Sequence, residues 1–214
     1  KNFRLMIILL DNGHGYDTKG KCSPDGRLKE YAWARDVAKR IQALLKADGK
    51  DARLVVTEQN DISLKERVRR VNAICKTAGA KNCLLVSVHI NAAGADGKWH
   101  TAKGFSVFVS KNASSNSKKC AALFTDEATR LNLLGNRSVP SGKYWTWSWT
   151  KSDIYILANT NCPAVLTENL FQDNKEDVEY LLSEQGKNEI AKLHFDAIKR
   201  YIANDVWERS LSSH

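Results

Sequence analysis

Residues 5–15 read LMIILLDNGHG, and the fold turns on them. Six apolar residues in a row, too few for a helix and showing no polar face, predict a strand buried in a sheet, which Asp11-Asn12-Gly13 breaks into a glycine loop. A loop at the end of such a strand is a place where an α/β protein carries chemistry. From Glu30 onward, Ala34, Val37, Ala38, Ile41, Leu44 and Leu45 recur at helical spacing, with Lys39, Arg40 and Lys46 opposite and Gly49 just past the end. Leu54 to Thr57 predicts a second strand, after which Ser63 and Glu66 form a capping box opening a helix with Leu64, Val68, Val71 and Cys75 inward. Cys83 to Val88 repeats the buried-strand pattern and runs into His89-Ile90-Asn91 and a loop over 92–97. Phe105, Val107 and Val109 alternate as a further strand, and a helix is expected over about Ser117 to Leu134. Ile154 to Leu157 and Ala164 to Thr167 are two more strand candidates, and Ile190, Leu193, Ala197, Ile198, Tyr201 and Ile202 mark a final helix. Strands alternating with helices, and no repeat or linker, predict an α/β single-domain sandwich with a central mixed, mostly parallel sheet flanked by helices. Its expected span is 1–207, with 208–214 as a short polar C-terminal tail.

At 214 residues and 43% hydrophobic, the chain is long and apolar enough for one substantial core. No run approaches the roughly 18 apolar residues of a membrane span. Lys and Arg number 33 against 24 Asp and Glu, a formal +9 that favours an anionic partner such as nucleic acid, acidic lipid or bacterial wall polymer. The densest basic cluster, Lys65, Arg67, Arg69 and Arg70, reads as a solvated helix face. Five cysteines, odd in number and without a CxxC, encode neither a disulfide framework nor a thiolate zinc site, and Cys75 and Cys83 read as small core residues.

Four polar residues stand where strands end or helices begin: His14, Glu30, His89 and Glu168. Open α/β sheets gather their sites at strand carboxyl ends, so these four can converge. Two imidazoles and a carboxylate form a ligand set for catalytic zinc with a fourth position for water, and a further carboxylate can carry the proton of that water. Each residue also has a plain structural reading, as a hydrogen-bonded histidine, a first-turn helix acid or a surface acid.

Four motifs in order, DNGHG at 11–15, Glu30 opening a helix, SVHIN at 87–91 and PAVLTENLFQDN at 163–174, resemble those of the zinc-dependent N-acetylmuramoyl-L-alanine amidases of the type-3 family. The resemblance spans most of the chain. It implies cleavage of the amide between the lactyl group of N-acetylmuramic acid and the L-alanine of the peptidoglycan stem. It further implies Zn2+ on His14, Glu30 and His89, and Glu168 as the catalytic carboxylate. Asn12 stands where the family usually has proline, and Gly13 to Gly15 are expected to keep the turn. Leu170 fills the place of a glycine before Phe171, which is expected to reshape the backbone behind Glu168.

Asn91, two residues past His89, is a candidate substrate contact or a turn former. Trp145, Trp147 and Trp149 alternate with polar residues and present indoles to sugar or peptide on one side of an extended segment, or else belong to a hairpin covering the core. Lys19, Lys21 and Arg27 can meet stem carboxylates. The expected partner is peptidoglycan, without nucleic acid or membrane span, met by a monomer in the cell envelope or outside the cell. The competing readings are a zinc peptidase acting within the stem and a non-catalytic wall-binding module; His100 is the alternative base.

Overall fold

The computed structural model describes residues 6–146 and 153–211. Six strands form one sheet in the order β2-β1-β3-β6-β4-β5. Strands β1 (Ile7–Asn12), β2 (Asp51–Leu54), β3 (Cys83–Asn91) and β6 (Ala164–Phe171) are parallel. Strand β4 (Ser106–Val109) runs antiparallel to β6 and carries the two-residue edge strand β5 (Trp145–Thr146) parallel to itself. The central sheet is mixed and mostly parallel, with helices on both faces.

Alternation assigns the two faces. Ile8, Leu10, Leu84 and Val86 pack under α1 (Glu30–Ala47), α3 (Ser115–Arg130), α5 (Lys175–Leu182) and α6 (Glu184–Leu211). Ile7, Leu9, Cys83, Leu85 and Leu166 face α2 (Leu64–Ala78) and α4 (Tyr155–Asn159). Helix α1 starts at Glu30 and ends before Gly49, whose φ of 73° is the left-handed conformation that glycine adopts without strain. The Ser63 hydroxyl accepts the Glu66 N–H at the start of α2, as the capping box requires, while the Glu66 carboxylate is taken by Arg69 and Arg70.

Several elements depart from the sequence reading, among them α3, which ends at Arg130 rather than near Leu134. Ile154 to Leu157 is not a strand: Tyr155–Asn159 is a short helix that buries Ile156 and Leu157 against the α2 face. Four apolar residues show no period by which strand and helix could be told apart, and the Asp153 carboxylate accepting the Ile154 N–H starts the helical turn. Strand β2 lies three residues earlier than expected, and Val55 extends its ladder only by donating to Leu10 O at 2.8 Å. Helix α6 runs on to Leu211, into the stretch read as a tail, while 212–214 lie outside the described residues.

Leu170 takes the left-handed conformation itself, at φ 65°, next to an irregularity in the β3–β6 register between His89 and Asn91. The glycine-like turn behind Glu168 is therefore kept rather than reshaped, and the side chain is buried in the core. Left-handed backbone costs a non-glycine residue about 1–2 kcal/mol. Leu170→Ala should cost about 2–5 kcal/mol through lost packing, and Leu170→Gly about 1 kcal/mol less because it also releases the strain. Urea unfolding of both variants checks this; the opposite order would contradict a strained Leu170.

Fully buried His194 on α6 ties that helix to the sheet. Its Nδ1 donates to Ile190 O at 2.8 Å, so its Nε2 accepts from the Thr167 hydroxyl at 2.9 Å. Burial pushes its pKa down to about 4. A depressed imidazole pKa means that the unfolded chain binds the proton first. Stability is then complete above about pH 6.5 and falls by about 3 kcal/mol as pH drops toward 4. An NMR titration should show the His194 ring neutral down to about pH 5, whereas an inflection near 6.5 would contradict its burial as the neutral form.

Candidate metal centre

The carboxyl ends of β1 and β3 and the first residue of α1 meet at one point. His14, Glu30 and His89 each bring one ligand atom there, all within 4.8 Å of one another, the only such cluster of three or more among the described residues. His89 Nδ1 lies 3.1 Å from Glu30 Oε1, which also accepts the Ile90 N–H at 2.9 Å. His14 Nε2 lies 3.4 Å from Glu30 Oε2, a buried atom without a hydrogen-bond partner. The two rings stand edge to face, 5.0 Å apart.

These residues fit a zinc ion. Two donors each 2.0–2.2 Å from a tetrahedral centre are about 3.4 Å apart, close to the 3.4 and 3.1 Å that separate His14 and His89 from the Glu30 carboxylate, and the orphaned Glu30 oxygen is the atom that a cation would satisfy. Burial pushes the Glu30 carboxyl up, but the two imidazoles outweigh it and hold it well below the usual carboxylate range. Burial likewise pushes His89 down, and the Glu30 carboxylate more than reverses this.

Tight backbone geometry shapes the loop. His14 sits at φ 59°. A Cβ on Gly13 would come within 2.3 Å of the His89 ring, and one on Gly15 within 1.9 Å of the Asp61 amide nitrogen, so both positions need glycine for close approach.

Two arginines grip this loop, and the sequence reading had missed both. Arg67, read as part of a solvated face, is only 2% exposed. It pairs with Asp11 at 2.7 Å and donates to Asn12 O at 2.6 Å and His14 O at 3.2 Å. Ser87 donates to the other Asp11 oxygen at 2.6 Å. Arg35 donates to His14 O at 2.9 Å and Gly13 O at 3.4 Å. The signal was available: a carboxylate closing a buried apolar strand needs a cation partner. Arg69 and Arg70, by contrast, make surface pairs with Glu66 and Glu58, as a solvated face does.

Glu168 lies opposite His89 in the β3–β6 register. Although the residue is only half-buried, its Oε2 is fully enclosed and has no hydrogen-bond partner. Burial pushes its pKa up to about 7, the His89 and Lys21 charges opposing and the Glu30 charge adding. A carboxyl that titrates near neutrality is suited to proton transfer. A cavity of about 200 Å³ opens beside His14 and His89 toward Asp61, Ser63, Leu64 and Ile156.

The other sequence candidates fall further out. The Asn91 side chain accepts the N–H of Ala92 at 2.9 Å. Trp145 is half-buried on edge strand β5, two strands from β6; Trp147 and Trp149 lie outside the described residues. Arg27 is engaged by Asp25 and Glu179. His100 pairs with Asp96 at 2.8 Å on the 92–104 loop.

Residues 8–200 match the profile of the N-acetylmuramoyl-L-alanine amidase family. The chain belongs to that family. Over 197 residues this amidase-family chain is 30% identical to the endolysin of Bacillus phage SPP1, a match covering 90% of the chain and 64% of the endolysin. The chain therefore spans just under two thirds of that relative's length. It is 24% identical over 196 residues to the N-acetylmuramoyl-L-alanine amidase CwlM of Bacillus licheniformis, covering 92% of this chain and 68% of that one. In fold it is similar to the N-acetylmuramyl-L-alanine amidase of Mycobacterium smegmatis, with a TM-score of 0.77, 20% identity and coverage of 93% and 97% of the two chains.

Proposed function

We propose that this chain is a zinc-dependent hydrolase of peptidoglycan that cleaves the amide between the lactyl group of N-acetylmuramic acid and the L-alanine of the stem peptide. The observation that carries this reading is the His14, Glu30 and His89 cluster around an orphaned carboxylate oxygen, with a second buried carboxyl, Glu168, beside it. Names among the relatives point the same way: one is an endolysin and another an N-acetylmuramoyl-L-alanine amidase.

His14, Glu30 and His89 would hold the ion. A zinc ion held there would supply Lewis acidity toward a water and the lactyl carbonyl. Glu168 takes the proton of the attacking water and passes it to the alanine nitrogen as the carbon–nitrogen bond breaks. Arg35 and Arg67 keep the His14 backbone in its left-handed turn, so the imidazole is aimed before substrate arrives. Lys21, close enough to Glu168 to lower its pKa, is placed to meet a stem carboxylate, and Asn91 and Trp145 are further candidates for substrate contact. The net charge of +9 draws the chain to the anionic wall, and the site of action is outside the cytoplasm.

Mass spectrometry of peptidoglycan digested with the purified protein tests the reading. Free L-alanine amino termini together with intact muramoyl carboxylates are expected. Cuts confined to bonds within the stem would make it a peptidase, and binding without any cut a wall-binding module.

A further inference from the structure

Three cysteines that the metal centre does not use meet on the α2 face of the sheet, at the end opposite the imidazoles. Cys75 on α2, Cys83 at the start of β3 and Cys162 just before β6 are all buried and carry free thiols. The register that sets Leu85 against Ala164 brings Cys83 and Cys162 to neighbouring positions two residues earlier. Asn72, one helical turn before Cys75, donates to Asn159 O and accepts from Asn161 N, both at 2.9 Å. The turn that carries Cys162 is thus tied to the same helical face as Cys75. Cys162 and Cys83 both act on the Cys75 thiol, Cys162 the more strongly.

Access separates Cys75–Cys162 from the two pairs that would use Cys83. Cys83 is fully enclosed, whereas Cys162 lines an open cavity of about 410 Å³ with Lys81, Asn161 and Ala164. We propose that Cys75 and Cys162 form a redox-active pair that a small-molecule disulfide converts into an intramolecular disulfide, stapling α2 to the start of β6. One thiolate of the pair attacks the external S–S bond, giving a mixed disulfide and one released thiol. The second thiolate then displaces the other thiol, so the pair loses two protons and two electrons and the external disulfide is reduced to two thiols. Cys162, first, and Cys83 hold the Cys75 thiol down to about 7 while Cys75 and burial push the Cys162 thiol up, so Cys75 is the member of the pair that ionises first. The staple joins the helix that grips the His14 backbone through Arg67 to the strand that carries Glu168.

The test uses the full chain carrying Cys22→Ala, which removes the exposed thiol, treated under native conditions with oxidised glutathione. The intact mass should fall by two hydrogens, and peptide mapping should join the Cys75 and Cys162 peptides. A cross-link closing so long a loop should raise Tm by about 10 °C, reversibly with dithiothreitol. Cys83→Ala should still form the link, while Cys162→Ala should give no internal disulfide. An unchanged mass with every buried thiol still alkylatable after unfolding, or a Cys75–Cys83 link in place of Cys75–Cys162, would overturn the proposal.

Discussion

Glu168→Gln is expected to lower peptidoglycan turnover by about 10²–10⁴-fold while leaving metal content unchanged. The amide preserves the shape of the half-buried side chain beside His89 but cannot accept a proton. Its loss should therefore fall on kcat rather than on substrate affinity. Glu168→Ala should be similarly damaging. Steady-state rates on solubilised peptidoglycan, paired with metal analysis of the same samples, check both. Near-normal turnover in a fully metallated Glu168→Gln protein would move the proton-transfer role to another group, with His100 the next to test.

The three proposed ligand positions should behave differently in kind from Glu168. Replacing His14, Glu30 or His89 by Ala is expected to remove metal and activity together, because two remaining ligands cannot hold zinc at comparable affinity. Gly13→Ala should mimic this without touching a ligand: the added methyl carbon would lie 2.3 Å from the His89 ring and drive it out of line. Wild-type protein treated with a chelator should lose turnover and regain it on zinc addition. Full zinc occupancy in Gly13→Ala with normal activity would show that His89 is not the ring that closes the site.

Much of this candidate centre was legible in the sequence because its three residues sit near element boundaries that leave strong local marks. The Leu5–Leu10 run ends at the loop that carries His14, Glu30 is the first residue of an 18-residue amphipathic helix, and His89 lies two residues before the end of a buried strand. Periodicity fixes such ends, so the convergence of the residues followed from the parallel α/β arrangement. What supports the ligands was harder to see. Arg67 lies in a basic run that looks solvated, and only the tertiary fold shows that buried Asp11 and the His14 carbonyl claim its guanidinium. Ile154 to Leu157 misled because a four-residue apolar run is too short to show a period. Leu170 misled in another way: the sequence shows a missing glycine, but the burial that offsets its left-handed strain is a property of the packed core.

The most direct measurement is anomalous scattering at the zinc edge from crystals of the zinc-loaded protein. A single strong peak is expected about 2.0–2.2 Å from His14 Nε2, His89 Nδ1 and the Glu30 carboxylate, with Glu168 close by but not bound. A peak ligated by other residues, or none at this cluster in protein that is demonstrably active, would contradict the assignment of the metal centre.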